Sequence, residues 1–266
     1  MSVGSSGRLN TTMLIDPEFA QQLETALPPR GEGRSRGRRA PRSESLFRLG
    51  RRPEGGRKLS RLERLLGRLL HVERATLHVL VDASLSMTFA GYTPPQPSAK
   101  FDFARRFAAA LGYAALCRDM SFEVTTLSPT RGSRRPIVQS REDIPLLLHY
   151  LESIRAGGTR NFAWAIRSRV RRAPKETIFV VLSDFRDRNW EWGAPALLMG
   201  EARIVLLHLV DRSEISESGG AGSVPSLEEE VRQRLAEMAR QYHLEYLVVP
   251  TDTPVEELFL HSLAER

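Results

Sequence analysis

Two stretches of this chain, TIFVVL at 177–182 and ARIVLLHLV at 202–210, are predominantly apolar and show no regular alternation of apolar with polar residues. A strand of that kind needs cover on both faces, which is the condition of a parallel sheet flanked by helices. From residue 75 onward strand-like and helix-like segments alternate. Strands are expected at 75–82, 120–127, 176–184, 202–210 and 244–249, with a short edge strand near 136–139. Helices are expected at 99–118, 141–155, 161–172, 194–200, 226–242 and 254–264, and a Gly/Ser-rich insert at 216–226. The expected fold is therefore α/β, a doubly wound and mostly parallel central sheet of strand order 3-2-1-4-5-6. In that order the first and fourth strands lie side by side, and their outgoing loops part to leave a crevice at the carboxyl ends.

Both of those strands end on an aspartate, Asp82 in ATLHVLVDASLS and Asp184 in TIFVVLSD. Residues a hundred positions apart are thus expected to meet in one cleft. Two carboxylates placed a few ångströms apart in a half-buried crevice repel each other, unless one takes up a proton or a cation sits between them. The hydroxyls of Ser84 and Ser86 follow Asp82 on a tight turn, and Thr159 follows a Gly157-Gly158 pair that allows backbone angles bulkier residues resist. Five hard oxygen-bearing side chains, Asp82, Ser84, Ser86, Thr159 and Asp184, suit Mg²⁺, with Mn²⁺ or Ca²⁺ as alternatives. With two formal negative charges in the set, the ion keeps room for one more carboxylate, a Glu or Asp supplied by a protein partner. None of the five is an evident general base or nucleophile.

Charge is unevenly spread. Residues 1–75 hold 16 Lys+Arg against 8 Asp+Glu, whereas residues 76–266 hold 23 against 24. The basic residues of the first segment are almost all Arg, set among Gly, Ser and Pro over 28–58, a composition that buries too little apolar surface to offset its ordering entropy. Residues 17–27 and 59–71 read as short helices inside this stretch. The expected organisation is a basic, loosely held N-terminal extension over 1–74, partly helical or flexible, and one α/β domain over 75–266. The apolar runs are strand-sized, short of the roughly 18 residues that span a bilayer, and the first residues lack an apolar signal core, so a cytoplasmic protein without a membrane span is expected. The lone Cys117 lies in LGYAALC and reads as buried.

The Asp-x-Ser-x-Ser loop, the later threonine and the second strand-end aspartate resemble the metal-ion-dependent adhesion site of von Willebrand factor A domains, over roughly residues 75–266. A narrower resemblance is to the bacterial von Willebrand A-like proteins numbered fifty-eight in the domain-of-unknown-function series. It is carried by DPEF at 16–19, VDASLSM followed by Gly91 and by Lys100-Phe101-Asp102, and the ending TDTPVEELFLHSLAER. The segment before the first strand departs from that family: RRPEGGRKLSRLERLLG stands where relatives carry an Asp pair and a Trp. The resemblance implies a non-enzymatic protein–protein interaction module, an adaptor or co-chaperone of a MoxR-type AAA+ ATPase.

Two other classes compete. Strand-ending aspartates also open metal-dependent phosphotransferases and hydrolases, but those place a second Asp two residues on, where this chain has Ser84. No phosphate-binding G-x-x-x-x-G-K-S/T is present, and the G-x-S-x-G match at 33–37 falls in the Arg-rich stretch rather than at a strand end, where a nucleophile elbow would sit. The Arg-rich arm admits nucleic acid, although only Phe19 and Phe47 are there for base stacking. Trp190 and Trp192, just beyond Asp184, are candidate docking anchors on the same rim. His78 and His208 fall inside strands and read as core or sheet-face residues.

Overall fold

The computed structural model describes residues 14–27, 60–72, 75–88, 99–127, 137–157, 170, 173, 176–187, 202–211, 214 and 226–264. Within them lie six strands: β1 (Thr76–Asp82), β2 (Ser121–Leu127), β3 (Ile137–Val138), β4 (Thr177–Ser183), β5 (Arg203–Val210) and β6 (Glu245–Pro250). Six helices accompany them: α1 (Pro17–Ala26), α2 (Arg61–Leu69), α3 (Ala99–Cys117), α4 (Ile144–Ser153), α5 (Leu227–Gln241) and α6 (Val255–Ala264). The strands form one sheet in the order β3-β2-β1-β4-β5-β6. Five of them run parallel, and the two-residue β3 pairs antiparallel with β2. The helices expected at 161–172 and 194–200 lie outside the described residues, Val170 alone excepted.

The unbroken apolar strands are explained by where alternate side chains go. In β4, Ile178, Val180 and Leu182 enter one core cluster and Phe179 and Val181 the other. The same split holds in β5, with Val205, Leu207 and Leu209 on one face and Ile204 and Leu206 on the opposite one. Successive side chains of a strand point to opposite faces, so a strand covered on both sides must be apolar at every position. The first face is packed by α1, α2, α3, α4 and α6, and the second by α5.

Helix α3 is the centre of the first layer. Ten consecutive residues from Ala108 to Cys117 include only one that is not a buried apolar side chain, Gly112. That glycine allows a close approach of the helix to its neighbours. A Cβ placed there would come within 2.5 Å of Leu147 in α4 and 2.7 Å of Phe122 in β2. Cys117 is fully buried at the helix end.

The expectation of a loosely held N-terminal region does not hold for its two described helices. Helix α1 starts on Asp16, whose side chain accepts the Glu18 amide at 2.8 Å, with Pro17 in the first turn. Helix α2 opens on a capping box, the Ser60 hydroxyl accepting the Glu63 amide while the Glu63 carboxylate accepts the Ser60 amide. Leu62, Leu65, Leu66 and Leu69 are buried, and Arg61, Arg64 and Arg68 point to solvent. Phe19 and Leu23 of α1 join the same core. These residues therefore belong to the body that contains the sheet. No helix among the described residues is long and apolar enough to cross a membrane.

Candidate functional site

Strands β1 and β4 are adjacent and parallel, with Val81 opposite Leu182, so Asp82 and Asp184 reach the same rim of the sheet. The 3₁₀ turn Leu85–Thr88 follows β1 directly. Its start is tied down by Asp82, whose Oδ1 accepts the Ser84 amide at 2.8 Å. The hydroxyls of Ser84 and Ser86 lie 3.0 Å apart, and Ser86 Oγ donates to Asp184 Oδ1 at 2.9 Å. Four of the five residues singled out in the sequence are thereby joined in one hydrogen-bonded run. The fifth, Thr159, and Gly158 before it lie outside the described residues. The turn that precedes them does reach the site, because the Gly157 amide donates to the Ala83 carbonyl at 2.8 Å. Trp190 and Trp192 also lie outside the described residues.

Ser183, which the sequence reading passed over, holds the two strand ends together. Its hydroxyl donates to Asp82 Oδ2 at 2.5 Å and accepts the Phe185 amide at 2.8 Å. Phe185 adopts a φ of 50°, an uncommon conformation for a bulky residue, and is buried in the second core cluster. The chain thus turns sharply after Asp184 while the phenyl ring anchors the turn from below.

The second omission is Lys100, in the first turn of α3 and 1% exposed. Its ammonium donates to Asp184 Oδ2 at 3.2 Å and to Glu214 Oε1 at 2.8 Å. Arg186 reaches the same Glu214 oxygen at 2.7 Å, and the other Glu214 oxygen accepts the Asp211 amide at 3.0 Å. Sequence reasoning expected a cation between the two aspartates and named a metal. For Asp184 part of that need is met by a lysine of the chain itself. Asp82 has no such partner among the described residues: burial, and then the charge of Asp184, push its carboxyl up to about 6, against the opposing hydrogen bonds from Ser183 and Ser84.

Behind this rim lies a second buried polar group. His208 of β5 sits opposite Ser183 in the sheet register, with Nδ1 3.0 Å from the Tyr246 hydroxyl and Nε2 3.3 Å from Glu228 Oε1. Burial pushes His208 down to about 3 and Glu228 up to about 7, the latter helped by the charge of Glu214. With the imidazole neutral, the His208–Glu228 contact is not an ion pair, and neither Glu228 oxygen has a hydrogen-bond partner among the described residues. His78, on the far side of the sheet centre, pairs with Thr125 Oγ1 at 2.8 Å and packs on Phe179. Both histidines are sheet residues, as their place in the strands implies.

The donor set can be tested against an ion. Among the described residues no three His, Cys, Asp or Glu side chains gather as metal ligands, so any metal here would depend on the hydroxyls. Octahedral Mg²⁺ with oxygens at about 2.0–2.1 Å places neighbouring ligands about 2.9–3.0 Å apart. The Ser84–Ser86 and Ser86–Asp184 separations of 3.0 and 2.9 Å are compatible with that length, which is also the length of the hydrogen bonds these groups make to one another.

No family model matches the chain, and no curated protein matches it. Among solved structures, the conserved hypothetical protein BatB from Bacteroides thetaiotaomicron is similar, at 15% identity and a TM-score of 0.46, over 72% of this chain and 98% of that one. An aerotolerance-related membrane protein from Bacteroides fragilis NCTC 9343, with multiple mutations to serines, matches at 19% identity and a TM-score of 0.46. That similarity covers 72% of this chain and all of the other.

Proposed function

We propose that this chain is a von Willebrand A-like binding module, which captures an acidic side chain of a protein partner through a divalent cation held at the rim of β1 and β4. The observation that carries the reading is the hydrogen-bonded run in which Asp82 accepts the Ser84 amide, the Ser84 and Ser86 hydroxyls meet, and Ser86 donates to Asp184, which gathers four oxygen-bearing side chains at one rim. Ser84, Ser86 and a carboxylate oxygen would hold Mg²⁺, and Thr159 belongs to the same set by sequence. When bound, the ion supplies a seat for a partner's Glu or Asp oxygen.

The chain's own residues do the positioning. Ser183 fixes the Asp82 carboxylate, and Lys100 fixes that of Asp184, so neither has to be ordered when a cation arrives. Leu85, between the two serines and about half exposed, offers an apolar contact beside the seat. No histidine is hydrogen-bonded to Ser84 or Ser86 among the described residues, which favours binding over catalysis. The partner we favour is a MoxR-type AAA+ ATPase, for which this module would act as adaptor or co-chaperone, in the cytoplasm.

The test mixes the purified chain with a purified MoxR-type ATPase and follows complex formation by size-exclusion chromatography. Complex in Mg²⁺ that is lost in EDTA and in Asp82→Ala is expected. A complex equally strong in EDTA contradicts the metal-mediated mode, and no complex in either condition removes the ATPase as partner.

A further inference from the structure

The sheet has two edges, and they are finished differently. On one side β3 closes the edge with two residues. On the other, β6 runs for six residues, Glu245–Pro250, and pairs with β5 alone. No further strand pairs with its outer side among the described residues, and the backbone hydrogen bond it receives from outside the sheet is the turn at its end, from the Thr253 amide to the Pro250 carbonyl. A strand of that length presents about 20 Å of unpaired N–H and C=O groups, a template that folded proteins ordinarily block.

Here it is left at the floor of a groove. Helix α2, which packs on the first face, and α5, on the second, overhang the edge without covering it. The space between them measures about 1110 Å³ beside Leu244–Leu247, and a second depression of about 660 Å³ continues past Val248 to Pro250. Five of the six β6 residues are only partly buried, in contrast to the wholly buried β4.

The walls are basic. Arg61, Arg64 and Arg68 succeed one another at helical spacing on α2, all exposed, and Arg240 and His243 face them from the end of α5. Of the acids that line it, Glu257 at the Pro250 end is exposed, and the two beside the arginines are engaged. Glu63 is held by the Ser60 amide and His261, and Glu245 by Arg68 and Arg203. Arg61 and Arg64 make no ion pair among the described residues.

We infer that the outer edge of β6 is a docking site for an acidic, extended segment of a partner protein, which adds to the sheet as a further strand while its carboxylates meet the arginines of α2. Charge selects this occupant over the alternatives. A second copy would bring two identical arginine rows together, and the chain's own residues 28–58 carry the same sign as the groove.

The groove is separate from the metal seat at the β1–β4 rim, so the test is run in EDTA, where failure of one proposal leaves the other standing. The probe is a fluorescein-labelled octapeptide alternating Glu and Val, followed by fluorescence anisotropy against the full chain, with hydrogen exchange read at residues 245–250. Saturable binding is expected, with slowed exchange over 245–250. Affinity should fall at least tenfold in an Arg61→Glu/Arg64→Glu variant of unchanged melting temperature, and should be lost when alternate peptide amides are N-methylated. Equal binding of a Lys/Val peptide, indifference to N-methylation, unchanged exchange at β6, or no saturation up to millimolar peptide would each overturn the inference. The N-methylated peptide tests the strand pairing on the unaltered chain, so the result does not depend on the variant folding.

Discussion

Replacing Lys100 with Met removes a buried ammonium but keeps most of the side-chain volume. Lys100 is 1% exposed, and its two carboxylate partners, Asp184 and Glu214, are 1% and 5% exposed at their side chains. Breaking a buried pair by deleting one member costs about 3–5 kcal/mol, because the remaining charge has neither water nor a counter-ion. Arg186 stays beside both carboxylates, at 2.7 Å from Glu214 and 3.9 Å from Asp184, which places the expected loss near the lower end, about 3 kcal/mol. For a protein of this size each kcal/mol shifts the melting temperature by about 2–4 °C, so a fall of about 6–12 °C is expected in circular dichroism melts. Adding Glu214→Gln removes one of the stranded charges and should recover part of the loss. In the single variant Asp184 has lost its ammonium, so Mg²⁺ should stabilise it by more than it stabilises the parent. A melting temperature within about 2 °C of the parent in metal-free buffer would refute the claim that Lys100 neutralises this cluster.

Other perturbations probe the remaining structure. Gly112→Ala gains roughly 1 kcal/mol of helix propensity but forces a methyl against Leu147 and Phe122, so a net loss of about 1–3 kcal/mol is expected in urea denaturation. Glu228 is raised from 4.5 to about 7 in the fold, so its charged form opposes folding; stability is lost as pH rises from about 4.5 through 7. Glu228→Gln should therefore be more stable than the parent at pH 8, by up to about 3 kcal/mol, and the difference should vanish near pH 4. Burial pushes the Cys117 thiol up to about 11, and a thiol reagent at pH 8 should label it only after denaturant is added.

The parallel sheet and the convergence of Asp82 and Asp184 on one rim could be read from the chain because a strand covered on both faces leaves a nearly continuous apolar signature, and in both strands an aspartate follows where that run stops. The Ser84 and Ser86 hydroxyls were legible for a related reason, since they follow that end within one turn. Lys100 and Glu214 were not. Lys100 meets Asp184 across 84 positions and Glu214 across 114, and a lysine at a helix start looks in sequence like any solvated one. Ser183 was hidden by its neighbour, as the aspartate after it drew the attention. The N-terminal region misled through composition. Its arginine excess is genuine, but within α2 the Arg and Leu residues are sorted onto opposite faces, and the Leu face is buried against α6. The expected strand order already puts the sixth strand outermost, but the groove beside it was not legible, because it depends on how α2 and α5 pack around that edge.

Isothermal titration of MgCl₂ into the purified, metal-free chain measures the central claim most directly. A one-site, saturable heat is expected for the parent, absent in a Ser84→Ala/Ser86→Ala variant that keeps its fold. At a hundredfold excess over the dissociation constant, bound Mg²⁺ should add about 2.7 kcal/mol to the parent's stability. No binding heat in the parent at millimolar Mg²⁺, or the same heat in the variant without both hydroxyls, would contradict it.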